Sequence, residues 1–161
     1  MSETVTPTEK QPFVAEVIAT MVPSFEGEPS QLDRIDITVE GEPRVQERTK
    51  VSYSGGPHLY DPSAMLKSKF RWAVQRFIKK DLKITDFPLF KVNLKIEVVF
   101  HVSNMAKDVD NLLKFVLDAL NTVVYEDDRH VHKIVGTKYH SPLRGYTTIS
   151  IEPMTKVHRI E

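Results

Sequence analysis

Hydrophobic positions along this chain recur with two periods, and the changes between them mark strands and helices. Ile35, Ile37 and Val39 alternate with Asp36 and Thr38, which predicts a half-buried strand. Phe13–Val22 is rich in β-formers and predicts another strand. Phe90–Val102 predicts a long one, with Val92, Leu94, Ile96, Val98 and Phe100 on one side. Its other side carries Lys91, Asn93, Lys95 and Glu97 before turning apolar at Val99. Val131–Lys138 and Tyr146–Ile151 predict two further strands, joined around Pro142 and Gly145. The helical period appears twice. Asp61-Pro62 is a start signal for a helix to about Lys80, with Leu66, Phe70, Ala73, Val74 and Phe77 on one face. Val109, Leu112, Leu113, Val116, Leu117 and Leu120 then fall on one helical arc, edged by Asp110, Lys114, Asp118 and Asn121. Strands and helices mix without regular βαβ alternation, which predicts an α+β fold.

Between these elements the pattern breaks up. Residues 41–60 read as a polar loop or loose hairpin carrying Arg44, Arg48 and Lys50, with Gly55-Gly56-Pro57 at its tip. Such a loop suits a phosphate backbone as well as an ordinary surface excursion. Phe87-Pro88 marks a turn. A disordered tail is expected over residues 1–12, one domain over 13–152, and a C-terminal tail over 153–161.

Composition narrows the function. With 161 residues and 40% hydrophobic content, the chain is expected to form one domain with a normal core. The absence of cysteine excludes disulfides, thiolate catalysis and Cys-ligated zinc. No apolar run is long enough to span a bilayer, and no signal or transit peptide is evident, so an intracellular, cytoplasmic protein is expected. The net charge of zero hides an asymmetry: residues 1–43 hold two basic and nine acidic residues, and 44–91 hold eleven basic and four acidic. A basic middle third is the footprint of a polyanion partner, although it also serves simply to solubilise a helix.

The candidate chemistry lies in Lys107–Val131. Asp108/Asp110 and Glu126/Asp127/Asp128 flank the second apolar-periodic segment. Two residues apart, Asp108 and Asp110 diverge within a helix and converge only if Asp108 lies in the extended turn before it. A helix from Asp110 to Asn121 rises about 16 Å. A return strand over Val123–Asp128 covers about 20 Å. A helix-turn-strand hairpin would then bring the two acidic clusters level, as a carboxylate nest for Mg²⁺ with open positions for phosphate oxygens. Lys114, one turn after Asp110, is placed to stabilise transition-state charge. The plainer alternatives are a helix cap at Asp108 and an i,i+4 ion pair at Lys114.

Other motifs fit less well. DVDN begins like a calcium loop, but Leu113 occupies the position where the sharp turn requires glycine. Glycosyltransferase or phosphatase DxD motifs need a larger scaffold. His130 and His132 are expected to alternate onto one strand face, as a transition-metal pair or as its ordinary polar side. His58 and His140 have no recognisable partners, and Ser-His-Asp catalysis has no supporting elbow.

KDVDNLLKFVLDALN followed by VVYEDDRHV resembles the core motif of the RusA-type Holliday junction resolvase family, D-x-D-N-L-x-K…DALN…(W/Y)-x-D-D. VEGEPRVQERTKV…LYDPSAMLK is similar to that family's opening strand, basic loop and first helix, and together these cover Ile35 to Ile151. The resemblance implies a homodimer with a mixed, mainly antiparallel sheet and two main helices, cutting four-way branched DNA by symmetric nicks. It implies that Asp108, Asp110 and Asp128 bind Mg²⁺, with Mn²⁺ able to substitute, and that Lys114 is the catalytic lysine. Asp127 is the adjacent acid, a second candidate ligand. Arg44, Arg48, Lys50, Lys67, Lys69 and Arg71 are expected to contact DNA phosphates. Thr122 stands where the family usually has glycine, and His130 where it often has glutamine. Phe13 and Phe25 are the candidates for an aromatic junction wedge. The rival expectations are a non-catalytic branched-DNA-binding protein and a nuclease acting on flaps or other branched DNA.

Overall fold

A computed structural model describes residues 14–22 and 31–154, with side chains from residue 32 onward. The expected tail over residues 1–12, the candidate wedge residues Phe13 and Phe25, and the end of the expected C-terminal tail lie outside the described residues. In chain order the elements are β1 (Val14–Val22), β2 (Gln31–Glu40), β3 (Lys50–Ser52), β4 (His58–Tyr60), α1 (Ala64–Phe77), β5 (Leu94–Val102), α2 (Val109–Leu120), β6 (Val131–His140) and β7 (Tyr146–Pro153). Five strands make one sheet in the order β1-β2-β7-β5-β6, and β3-β4 is the predicted loose hairpin. Every neighbouring pair in the large sheet is antiparallel except β5–β6. The fold is therefore α+β with a mixed sheet and two main helices, as expected, and it contains one β5-α2-β6 crossover that the periodicity had not indicated.

Register explains which face the helices cover. Ile35, Ile151 and Ile96 align across β2, β7 and β5, as do Ile37, Ile149 and Val98. All six are buried, in one core with Phe70, Val74, Leu112 and Phe115. The rings of Phe70 and Phe115 meet edge to face at 5.9 Å, joining α1 to α2 over the sheet. Phe115 and Ala119 are buried and Leu113 and Leu117 only partly so, which shifts the predicted apolar arc of α2 around the helix. That shift lets α2 face α1 as well as the sheet. Against β6, α2 comes so close that a Cβ on Gly136 would stand 3.1 Å from Val109 Cγ1.

Three boundaries differ from expectation. α1 begins at Ala64, not at Pro62, because the Asp61 carboxylate accepts from Ser63 N at 2.8 Å and holds a turn ahead of the helix. β5 begins at Leu94, and Val92 is exposed, because Leu89 N and Phe90 N donate at 3.0 Å to Val123 O and Val124 O and tie the preceding residues to the turn after α2. No strand forms over Val123–Asp128. The chain turns tightly at 121–125, with Val123 N and Val124 N both donating to Leu120 O and Thr122 N donating to Tyr125 O at 2.7 Å. Val123, Val124 and Tyr125 are apolar because this turn is buried.

Candidate active site

Asp108 stands just before α2 in extended backbone, φ −76° and ψ 135°, as convergence with Asp110 requires. Its carbonyl accepts the helical bond from Leu112 N at 3.0 Å, and its carboxylate makes no capping bond. The side chains of Asp108, Asp110 and Lys114 are all exposed. Two carboxylates at a helix N-terminus are favoured by the helix dipole, which offsets part of their mutual repulsion.

Long-range tethers fix the backbone behind this edge. Glu42 Oε1 accepts from Ser103 N at 2.9 Å and from Lys107 Nζ at 3.0 Å. Burial alone would raise the Glu42 pKa, but the bonds from Lys107 and Ser103 outweigh it and hold the carboxyl below its ordinary value. Lys107 Nζ also donates to Pro43 O at 2.7 Å. From the other side, Lys138 Nζ donates to Met105 O at 2.7 Å and Lys107 O at 2.6 Å. Gln46 N donates to Asn111 O at 3.0 Å. The segment Gly41–Gln46 is thus laid along the start of α2, and Arg44, between two of these anchors, is exposed. Arg48 and Lys50 continue the exposed basic loop, with Lys50 Nζ 3.8 Å from Glu47.

The second acidic cluster does not meet the first within one copy of the chain, contrary to the hairpin arithmetic. The returning strand is β6, which starts at Val131, beyond Asp128, and pairs Val131 with Leu94 at the start of β5. Asp108 follows the far end of β5. Asp127 and Asp128 therefore remain by the C-terminal end of α2, separated from Asp108 by about 18 Å of helix. Their neighbours agree: Tyr125 and Asp118 act electrostatically on or with Asp128. Among the described residues, no three His, Asp or Glu side chains are grouped so as to hold a metal ion.

Asp127 and Asp128 differ from each other. Asp127 caps a 3₁₀ turn over Asp128–His130, its Oδ1 accepting from Arg129 N at 3.0 Å. That bond, with a hydrogen bond shared with Asp128, lowers the Asp127 pKa. Asp128 is raised, first by the same shared hydrogen bond and then by burial and the Asp127 charge. The hydrogen bond between the two adjacent carboxyls thus moves their pKa values in opposite directions. His130 belongs to this turn and not to β6, so it does not alternate with His132 on a strand face.

Two of the six expected phosphate contacts are used inside the protein. Lys67 Nζ lies 2.5 Å from Asp61 and 3.3 Å from Asp118, with its side chain only 13% exposed. Arg71 donates through Nε to Ala119 O at 3.0 Å and through an Nη to Asp118 O at 2.8 Å. Together with Tyr125 Oη donating to Leu117 O at 2.6 Å, this satisfies the carbonyls that the end of α2 leaves open. Both residues are drawn inward because α1 packs on α2 there. Lys69 is exposed. The tethers Glu42, Lys107 and Lys138 escaped the sequence reading, since each partner lies far away in the chain and no local pattern pairs them.

Residues 40–152 match the family model described as Endodeoxyribonuclease RusA, more than half of the chain. Comparison with curated proteins finds no match.

Proposed function

The chain belongs to the RusA endodeoxyribonuclease family, whose members are crossover-junction resolvases, and from that premise we propose that it is a Mg²⁺-dependent nuclease selective for four-way DNA junctions. The observation that carries the reading is the exposed Asp108–Asp110–Lys114 edge of α2 with the basic Arg44 loop fastened alongside it. Mg²⁺ is usually held by one or two carboxylates and completed by water and substrate phosphate oxygens. Asp108 and Asp110 fit that role as hard oxygen donors. The bound ion would polarise the phosphoryl oxygen and activate a water at neutral pH. Lys114 would neutralise charge developing on the phosphate, while Arg44, Arg48 and Lys50 hold the backbone on either side.

Asp128 stands too far from Asp108 within one copy to complete that set. We therefore assign it, with Asp127 as its hydrogen-bonded neighbour, to the corresponding site of a second copy. Dimerisation then becomes a condition for catalysis and supplies two cuts per junction. Two sites related by a twofold axis suit paired, symmetric nicks.

The test is Asp110→Asn assayed on synthetic four-way junctions with Mg²⁺. Cleavage is expected to fall more than about 100-fold, the scale of losing one preorganised electrostatic group. Binding of the junction is expected to persist, because the phosphate contacts lie on other residues. Cleavage at the unsubstituted rate would overturn the assignment of the metal to α2.

A further inference from the structure

The outer face of α1 has no role in the site described so far. Its exposed positions include Met65, Lys69, Trp72 and Arg76, and the helical turn that follows, Ile78–Leu82, adds Lys79. These recur at alternating spacings of four and three, which is one stripe of a helix continued through the turn that follows. Lys80 is exposed beside it, and no acidic residue occurs from Pro62 to Lys80. The rest of the helix is engaged: Phe70, Ala73 and Val74 are in the core, and Lys67 and Arg71 hold α2. Among the described residues, Lys69, Arg76, Lys79 and Lys80 form no ion pair with a carboxylate.

A solvated helix face of ordinary function has no need of an exposed indole. Trp72 is 51% exposed, with the Arg76 guanidinium 5.2 Å from its ring centroid. Lys79 Nζ lies 5.8 Å from the ring of Phe87. Trp72, Gln75, Arg76, Lys79 and Lys80 line one shallow concavity. Aromatic surface held open among cations that have no carboxylate partner among the described residues fits a polyanion in which charged phosphates alternate with apolar sugar edges, which describes a nucleic-acid backbone better than a protein or a simple anion.

We propose that this stripe is a second DNA-contact surface, gripping the backbone of a duplex arm away from the cleavage edge, with Trp72 packed against the sugar-phosphate chain. The proposal rests on the reading of the protein as a junction nuclease. It adds where an arm runs: along α1, which is clamped to the C-terminal end of α2. Arg76, Lys79 and Lys80 take the part that Lys67 and Arg71 cannot.

Trp72 is the one tryptophan of the chain, so tryptophan emission, excited selectively over the five tyrosines, reports on this stripe alone. The full chain, in EDTA to prevent cutting, is titrated with a synthetic four-way junction and with a linear duplex of equal arm length. Trp72 emission is expected to change on binding both, and the indole to become shielded from acrylamide. A triple variant, Arg76→Ala with Lys79→Ala and Lys80→Ala, is expected to keep its circular dichroism and bind roughly tenfold or more weakly. The slope of log affinity against log salt should shrink by about 2 to 3, one counterion step per lost phosphate contact. DNA binding that leaves Trp72 emission and acrylamide access unchanged, or an unaltered salt slope in the triple variant, would overturn this surface while leaving the nuclease reading intact. Shielding of Trp72 that depends on protein concentration without DNA would overturn it in favour of a second copy of the chain. Absence of any DNA binding would overturn both readings.

Discussion

At Thr122 the chain takes a left-handed conformation, φ +72°, that a β-branched residue adopts only under strain. The position is fixed by the tight turn that sends the chain from α2 into the buried Val123–Tyr125 segment. This accounts for the glycine that the RusA-type motif usually carries there. Thr122→Gly is expected to raise stability by about 1 kcal/mol, the relief of one left-handed L-residue. In thermal unfolding that is roughly 2–4 °C for a chain of this size. A lower melting temperature would show that the Thr122 side chain contributes more than its backbone costs. Glu42 is a second residue whose chemistry is set by its surroundings. Its carboxyl titrates below the ordinary range, so its stabilising effect is complete above the unfolded-chain pKa and is lost as pH falls through the folded value. Asp61, where hydrogen bonds from Lys67, Ser63 and Gln46 outweigh burial, acts in the same sense. The urea midpoint is expected to drop on acidification below about pH 4, and Glu42→Gln to flatten that limb. An acid limb unchanged by Glu42→Gln would remove Glu42 from the account.

At the scale of elements, the α1–α2 pair is held by polar bonds as well as by Phe70 on Phe115. Arg71 and Tyr125 satisfy the last carbonyls of α2, a helix with no basic residue in its own last turn. Arg71→Ala is expected to destabilise by roughly 1–3 kcal/mol, because it leaves partly buried carbonyls unpaired. Lys69→Ala, two residues earlier on the exposed stripe, is expected to change stability by less than about 0.5 kcal/mol and to weaken DNA binding. Urea unfolding of both variants beside salt-dependent DNA binding separates the two roles. Equal stability losses would mean that the exposed stripe also holds the fold. Lys69 and Arg71 are both cations on one basic helix, and sequence periodicity places neither against a partner. Which one is structural depends on where α2 ends.

At the scale of the molecule, the acids of α2 and those of the Asp127–Asp128 turn lie at opposite ends of one helix. A cleavage centre that uses both draws on two copies. Mixing Asp110→Asn chains with Asp128→Asn chains is therefore expected to restore cutting of one strand of a four-way junction. In the mixed dimer one site carries both substitutions and the other carries neither. Each variant alone should be inactive, and only single nicks should appear in the mixture. Sites built within one copy would remain dead in every combination, so an inactive mixture of variants shown to exchange subunits would exclude the shared centre.

The sequence by itself determined the strand around Ile35–Val39, the strand that ends at Val102, both helices and the basic loop. These are local matters: alternation, helical period and the turn before Val109 are properties of adjacent residues. It also set the condition for Asp108 and Asp110 to converge, that Asp108 stand in extended backbone before the helix, and the structure has it there. The tertiary structure alone decided what those residues meet. Val123–Asp128 has the length and apolarity of a return strand, but the apolar residues serve a buried turn, and β6 begins only afterwards in parallel with β5. That one register put Asp128 at the far end of α2. The packing of α1 on α2 likewise withdrew Lys67 and Arg71 from solvent and left Trp72 and Arg76 facing it. Contacts between residues dozens of positions apart are set by how elements pack against one another, and such packing leaves no period in the chain.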